Sequence, residues 1–247
     1  MRERRSAMEV LDTIPFELDS DALLGSLRIE PGSERAAAIA EAVEAVRPII
    51  RPKAAYDACY IDERGDESVT LGGVTFTSRV LRVNLDGAER AFPFVATCGR
   101  EAHDHTATCG DLIVKFALDT VMEQALHAAC RHVVQAIRET YSLGGTSTMS
   151  PGSLADWPME QQRQLFALLG DVRGRIGVEL TESCLMIPIK SISGLLFPTE
   201  IRFESCQLCP REGCPGRRAE HDPVLWERRY GKPPPADIAS PEGSVDP

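Results

Sequence analysis

The stretch GVELTESCLMIPIKSISGLLF, residues 177–197, decides how the rest of the chain is read. Thr181, Glu182, Ser183, Lys190, Ser191 and Ser193 are polar residues able to line a site, and they are set among strong β-formers. Pro188 forbids an uninterrupted helix through the middle, so the pattern predicts two strands joined by a proline-containing bend. Taken alone, the stretch also fits a half-buried hairpin whose hydroxyls face water. Its surroundings give it more weight: a Ser-Pro-Gly loop lies upstream at residues 150–152, and three cysteines follow within residues 206–214.

With 247 residues the chain can bury a substantial core as one large domain or two small ones. Lysine and arginine number 27 against 37 aspartates and glutamates, a net charge of −10. That balance argues against nucleic acid or an anionic membrane as the main partner, while leaving room for a local basic patch such as Arg217 and Arg218. No run approaches the roughly 18 apolar residues of a membrane span. The start, MRERR, lacks the apolar stretch of a secretory signal, so the expected compartment is the cytoplasm. There, eight cysteines point to metal or redox chemistry before disulfides.

Residues 1–8 are charged and expected to fray. Ala36 to Val46 carries Ile39, Val43 and Val46 at helical spacing, and Pro48 ends that helix. Residues 54–98 read as strands: Val74 and Phe76 alternate, Leu81, Val83 and Leu85 alternate in a shifted phase, and Asp86-Gly87 signals a turn. Phe92, Phe94, Ala96 and Cys98 then share one face of a returning strand. Cys98 to Cys109, with His103 and His105, reads as a polar loop; its spacing matches no common zinc pattern. Asp111 to Tyr141 is the longest helix, apolar on two faces and so expected to be covered twice, with Glu123 in the middle of the second face. A carboxylate there marks either a ligand contact or a rim residue paired with a cation such as His127. Residues 144–153 read as a loop and Met159–Leu169 as a short amphipathic helix closed by Gly170. The proline-rich segment 231–247 is expected to be disordered.

Thr181-Glu182-Ser183, Met186, Pro188 and Ser191-Ile192-Ser193-Gly194, preceded by Ser150-Pro151-Gly152, Asp156-Trp157-Pro158, Gln161 or Gln162, and Leu165-Phe166, resemble the reactivation domain of cobalamin-dependent methionine synthase. The resemblance is closer to stand-alone relatives of that domain, and Leu118-Asp119 and Glu123 in the preceding long helix also fit; it covers roughly residues 65–200. It implies an α+β fold, a twisted antiparallel sheet with packed helices. In function it implies an accessory protein for the reductive reactivation of a corrinoid-dependent methyltransferase, returning cobalt(II) to the active state. The cobalamin would be carried by a partner protein, an electron donor protein would supply the electron, and S-adenosylmethionine the methyl group. Glu123 matches a glutamate that contacts this ligand in the family, and Ser150, Pro151, Gly152 and Ser153 match the loop that cradles it. Thr181, Glu182, Ser183, Ser191, Ser193 and Gly194 would form the opposite wall of the cleft. The chain departs from the family at Thr148, where an arginine stands, at Ser153, where a tyrosine stands, and at Leu196 and Phe197, which occupy aromatic positions. The expected organisation is an N-terminal segment 1–30, the activation-domain-like part 31–200, a cysteine-rich extension 201–230 and the tail.

Cys206, Cys209 and Cys214 have the spacing C-x2-C-x4-C. Thiolates so close in sequence suit zinc or an iron-sulfur cluster, with Cys184 or His221 as fourth ligand; free thiols or a disulfide remain open. An iron-sulfur cluster would make this segment an electron relay. Zinc fits the alternative, a non-catalytic module that grips a corrinoid protein without binding S-adenosylmethionine.

Overall fold

The computed structural model describes residues 8–231. Of the frayed start and the proline-rich tail expected from sequence, residues 1–7 and 232–247 lie outside the described residues.

In chain order the elements are β1 (Glu9–Leu11), α1 (Ser20–Ser26), α2 (Glu34–Val46), β2 (Lys53–Tyr56), β3 (Cys59–Arg64), β4 (Ser68–Leu71), β5 (Val74–Thr77), α3 (Arg79–Asn84), β6 (Arg90–Thr97), α4 (Arg100–Ala107) and α5 (Leu112–Thr140). They continue with β7 (Thr146–Met149), α6 (Gln162–Leu169), α7 (Val172–Ile176), β8 (Glu179–Leu180), β9 (Met186–Ile187) and β10 (Ser191–Pro198). Among the described residues, eight strands form one antiparallel sheet in which β6 is the hub. β10 runs along one side of β6, from Ser191 opposite Thr97 to Leu196 opposite Phe92; β2 and then β3 occupy the other side. This is the α+β architecture the sequence led us to expect.

The stretch 177–197 supplies more than a hairpin. Its first half is the small β8–β9 ladder, which stands apart from the main sheet. After the bend at Pro188, whose peptide bond is cis, its second half becomes β10, paired on both sides with β6 and β7. Both faces of β10 are covered. Leu195 and Phe197 join one core with Phe76, Trp157 and Phe203, while Leu196 joins another with Phe92, Phe94 and Leu126. A strand buried on both faces reads as a continuous apolar run, which is what residues 194–197 are.

α5 begins at the cap Asp111, whose Oδ1 accepts from the Ile113 and Val114 amides at 2.8 and 3.1 Å. Leu118, Val121, Met122 and Ala125 pack with Ile39, Val43 and Val46 of α2, and Leu126, Ala129, Val133 and Ile137 pack on the sheet. The helix is therefore covered twice, but its second face is only partly so, since Phe116 is 61% exposed.

Three local expectations are corrected. Residues 79–84 are helix α3, not a strand. Ser78 caps it by accepting the Leu81 amide at 3.0 Å, and Asp156, far along the chain, accepts the Arg79 and Val80 amides at 3.3 and 2.9 Å. Tertiary capping thus overrides the alternating pattern. Residues 100–107 are helix α4 rather than a loop, with Ala102 and Thr106 buried at i and i+4 and Arg100 paired to Asp104 at 3.0 Å. Residues 146–149 are an edge strand paired with β10, and the loop begins only at Ser150.

The chain beyond β10 does not leave the core. Phe203, Leu208, Leu225 and Tyr230 are buried in the cluster around Trp157. The Tyr230 hydroxyl donates to Asn84 Oδ1 at 2.9 Å, and Asn84 Nδ2 reaches Met149 Sδ at 3.4 Å.

Candidate functional site

The end of the sheet where β6 stops and β10 starts gathers several of the residues singled out from sequence. The hydroxyl of Ser191 donates to Thr97 Oγ1 at 2.9 Å across the β6–β10 pair. Immediately before it, Lys190 extends to α5 and its ammonium lies 3.5 Å from Glu123 Oε2. Glu123 is 52% exposed along its side chain and Lys190 29%, so the pair sits at a rim. Glu123 is consequently not on a covered apolar face, and its cation is Lys190 rather than His127. Two positions further along β10, the buried Ser193 hydroxyl accepts from Gln162 Nε2 of α6 at 2.8 Å, while Gln162 Oε1 is buried with no donor among the described residues.

The Ser-Pro-Gly loop leaves β7 directly over β10. A Cβ placed on Gly194 would come 2.6 Å from Met149 O and 3.0 Å from Ser150 Oγ, so this close crossing requires glycine. Gly152 has φ 79°, and Ser153 closes the turn by donating to Ser150 O at 2.7 Å. Thr181, Glu182 and Ser183 occupy the tip between β8 and β9. Thr181 and Ser183 share a hydroxyl contact of 3.0 Å, and Arg163 of α6 donates to Glu182 O. The structure thus joins Glu123 to the start of β10 and joins Ser150 to Gly194, while the Thr-Glu-Ser tip is tied to α6. Leu196 and Phe197 are fully buried in the two cores and line no cleft, and Thr148 faces Leu196 in the edge ladder. Thr97, Arg163 and the role of Gln162 were not read from sequence; Thr97 announces itself only through its register opposite Ser191.

Two concavities lie away from these residues. One of about 460 Å³ lies between residues 12–18 and the end of α2, and one of about 620 Å³ lies beside Asp66, Glu67, Ser68, Thr77 and Arg79.

Burial makes two thiols harder to ionise. Loss of solvent pushes the Cys98 thiol up to about 12, against a smaller opposite effect of Lys190, and pushes Cys130 up to about 11. Cys206, Cys209 and Cys214 are half-exposed free thiols. Among the described residues no group of three or more His, Cys, Asp or Glu side chains is placed to hold a metal ion. The loop is organised by a side chain. Arg217 donates to the carbonyls of Cys206 at 3.1 Å, Ala219 at 3.3 Å, Cys209 at 3.2 Å and Arg211. The loop also touches the Ser-Pro-Gly turn, with Ser205 Oγ 3.2 Å from Ser153 Oγ.

Residues 136–204, which include the Ser-Pro-Gly loop and all of β10, match the family model described as vitamin B12 dependent methionine synthase, activation domain. Over that segment the chain is similar to the activation domain. Its fold agrees: a crystal structure of the MetH reactivation domain bound to AdoHcy superposes with a TM-score of 0.53 at 13% identity, over 81% of this chain and 82% of that one. No curated protein matches the chain. No helix among the described residues is long and apolar enough to cross a membrane.

Proposed function

We propose that this chain is an accessory protein for the reductive reactivation of a cobalamin-dependent methyltransferase, docking on the corrinoid-carrying partner. The observation that carries the reading is the family match over residues 136–204, which takes in the Ser-Pro-Gly loop and the Ser191–Gly194 strand together. S-adenosylmethionine, when bound, supplies the methyl group that traps the reduced cobalt. This chain's own part is positioning. The 150–153 turn would offer main-chain groups to the ligand, Glu123 a carboxylate, and the Thr181–Ser183 tip with Ser191 the far wall, held in register by β6 and α6. Lys190 is the cation beside Glu123, whereas position 148 offers no guanidinium to a ligand carboxylate.

Calorimetry with S-adenosylmethionine on the full chain tests the site. We expect heat that saturates at sub-millimolar to millimolar ligand and weakens on Glu123→Ala. No heat at millimolar ligand removes the methyl-donor role. Unchanged affinity in Glu123→Ala shows that the ligand sits elsewhere.

A second reading is favoured by Thr148 and by the burial of Leu196 and Phe197: a module that grips the corrinoid protein without S-adenosylmethionine. The three cysteines belong to the same choice. An iron-sulfur cluster there would serve as a relay beside the 150–153 turn, and zinc would be structural. Iron, sulfide and zinc analysis of protein purified under nitrogen decides between them. Zinc without iron or sulfide eliminates the relay, and an electron donor protein would then have to act on the partner directly.

A further inference from the structure

The concavity between residues 12–18 and the end of α2 shares no residue with the site above. At about 460 Å³ it falls in the roughly 300–1,000 Å³ range of small-molecule sites. Ile14, Phe16, Val43 and Ile50 supply apolar lining, and two guanidiniums, Arg47 and Arg51, line it as well. These two are not equivalent. Arg47 is occupied by Glu44, with Nε at 3.1 and 3.2 Å from the two carboxylate oxygens and Nη2 at 2.7 Å. Arg51 makes one bond, from Nη1 to Ile50 O at 3.1 Å, and pairs with no carboxylate among the described residues. The remaining charged group, Asp12, accepts the Thr13 hydroxyl at 3.2 Å.

Arg51 is also held in place. Gly99, at φ 104°, lies so close that a Cβ there would come 2.4 Å from Arg51 O, which locks the main chain of Arg51 against the end of β6. A guanidinium with donors to spare, on a backbone held in place, is a fork for a planar anion. Asp12 in the same lining disfavours a dianion such as phosphate, and the apolar residues favour a hydrocarbon body. We propose that this cavity binds a small amphipathic carboxylate, its acid group on Arg51 and its alkyl or aryl body between Phe16 and the Val43–Ile50 wall.

The test uses octanoate as probe and methyl NMR of the full chain. Octanoate should move the methyl signals of Ile14, Val43 and Ile50 in a saturable way and leave those of Leu196 unmoved. Octan-1-ol, with the same body and no charge, should bind about tenfold more weakly, and Arg51→Gln should weaken octanoate by about the same factor, as expected for loss of one charge-assisted hydrogen bond. Unmoved Leu196 signals in the variant establish that it is folded. The proposal is overturned if millimolar octanoate shifts none of the three residues, or if octanol binds as well and Arg51→Gln changes nothing.

Discussion

Strand β10 and the cysteine-rich loop of residues 205–219 are near neighbours in sequence and are built in opposite ways. β10 is fixed by a ladder on each side and a core on each face. The loop has its carbonyls gathered on one guanidinium, Arg217, and its thiols half in solvent. The contrast teaches where specification comes from. In β10 many small packing contacts agree, so each residue is constrained several times over. In the loop one polar hub, Arg217, and one buried side chain, Leu208, set the path, so the stretch from Cys209 to Ala219 is a local unit that can open without the sheet.

The sharpest way to break the comparison is Phe197→Ala, which removes a fully buried ring from β10 and should destabilise the protein by about 4 kcal/mol in denaturant titration. A loss below about 1 kcal/mol would mean that the strand is no better determined than the loop. Gly194→Ala comes next, since its methyl would meet Met149 O; we expect about 2 to 3 kcal/mol by the same measurement. Tyr230→Phe deletes the buried hydrogen bond to Asn84 and should cost about 1 kcal/mol, because the ring still fills its place.

A pH titration sharpens the buried side. Cys98 ionises near 12 in the fold, above its ordinary value of 9.0, because burial opposes the thiolate. In the unfolded chain it ionises first, so its contribution to stability is intact below its ordinary pKa and falls as pH rises from there toward 12. Thermal melts should decline over that alkaline window, and the decline should shrink in Cys98→Ala. The smallest global effect is expected from Arg217→Gln. The melting temperature should barely move, while amide exchange at residues 206–219 and alkylation of Cys206, Cys209 and Cys214 accelerate. A melting-temperature loss as large as that of Phe197→Ala would remove the distinction between the two regions.

The same contrast explains what could be read from sequence. Elements whose side chains carry the information were legible: α2 from Ile39, Val43 and Val46, α5 from its long apolar period, and β10 from the polar-to-apolar run after Pro188. Elements decided by a distant partner were not. α3 looked like a strand because its cap, Asp156, lies 76 positions from Val80. Glu123 was recognised as a residue of interest, but Lys190 as its partner depends on how β10 meets α5, 67 positions away. The cysteine spacing suggests ligands, and the convergence of four carbonyls on Arg217 is invisible in it.

The Thr97–Ser191 pair has a consequence for biogenesis. The two residues are 94 positions apart, so during synthesis β6 emerges long before the strand that completes it. Throughout that interval the side of β6 reserved for β10 presents unpaired amides and carbonyls beside Phe92 and Phe94. Such an edge is a template for pairing with another nascent chain. The protein therefore depends on what covers β6 first, and α5, which arrives about 50 residues ahead of β10 and packs on Phe92 and Phe94, is placed to act as an internal chaperone for the open edge.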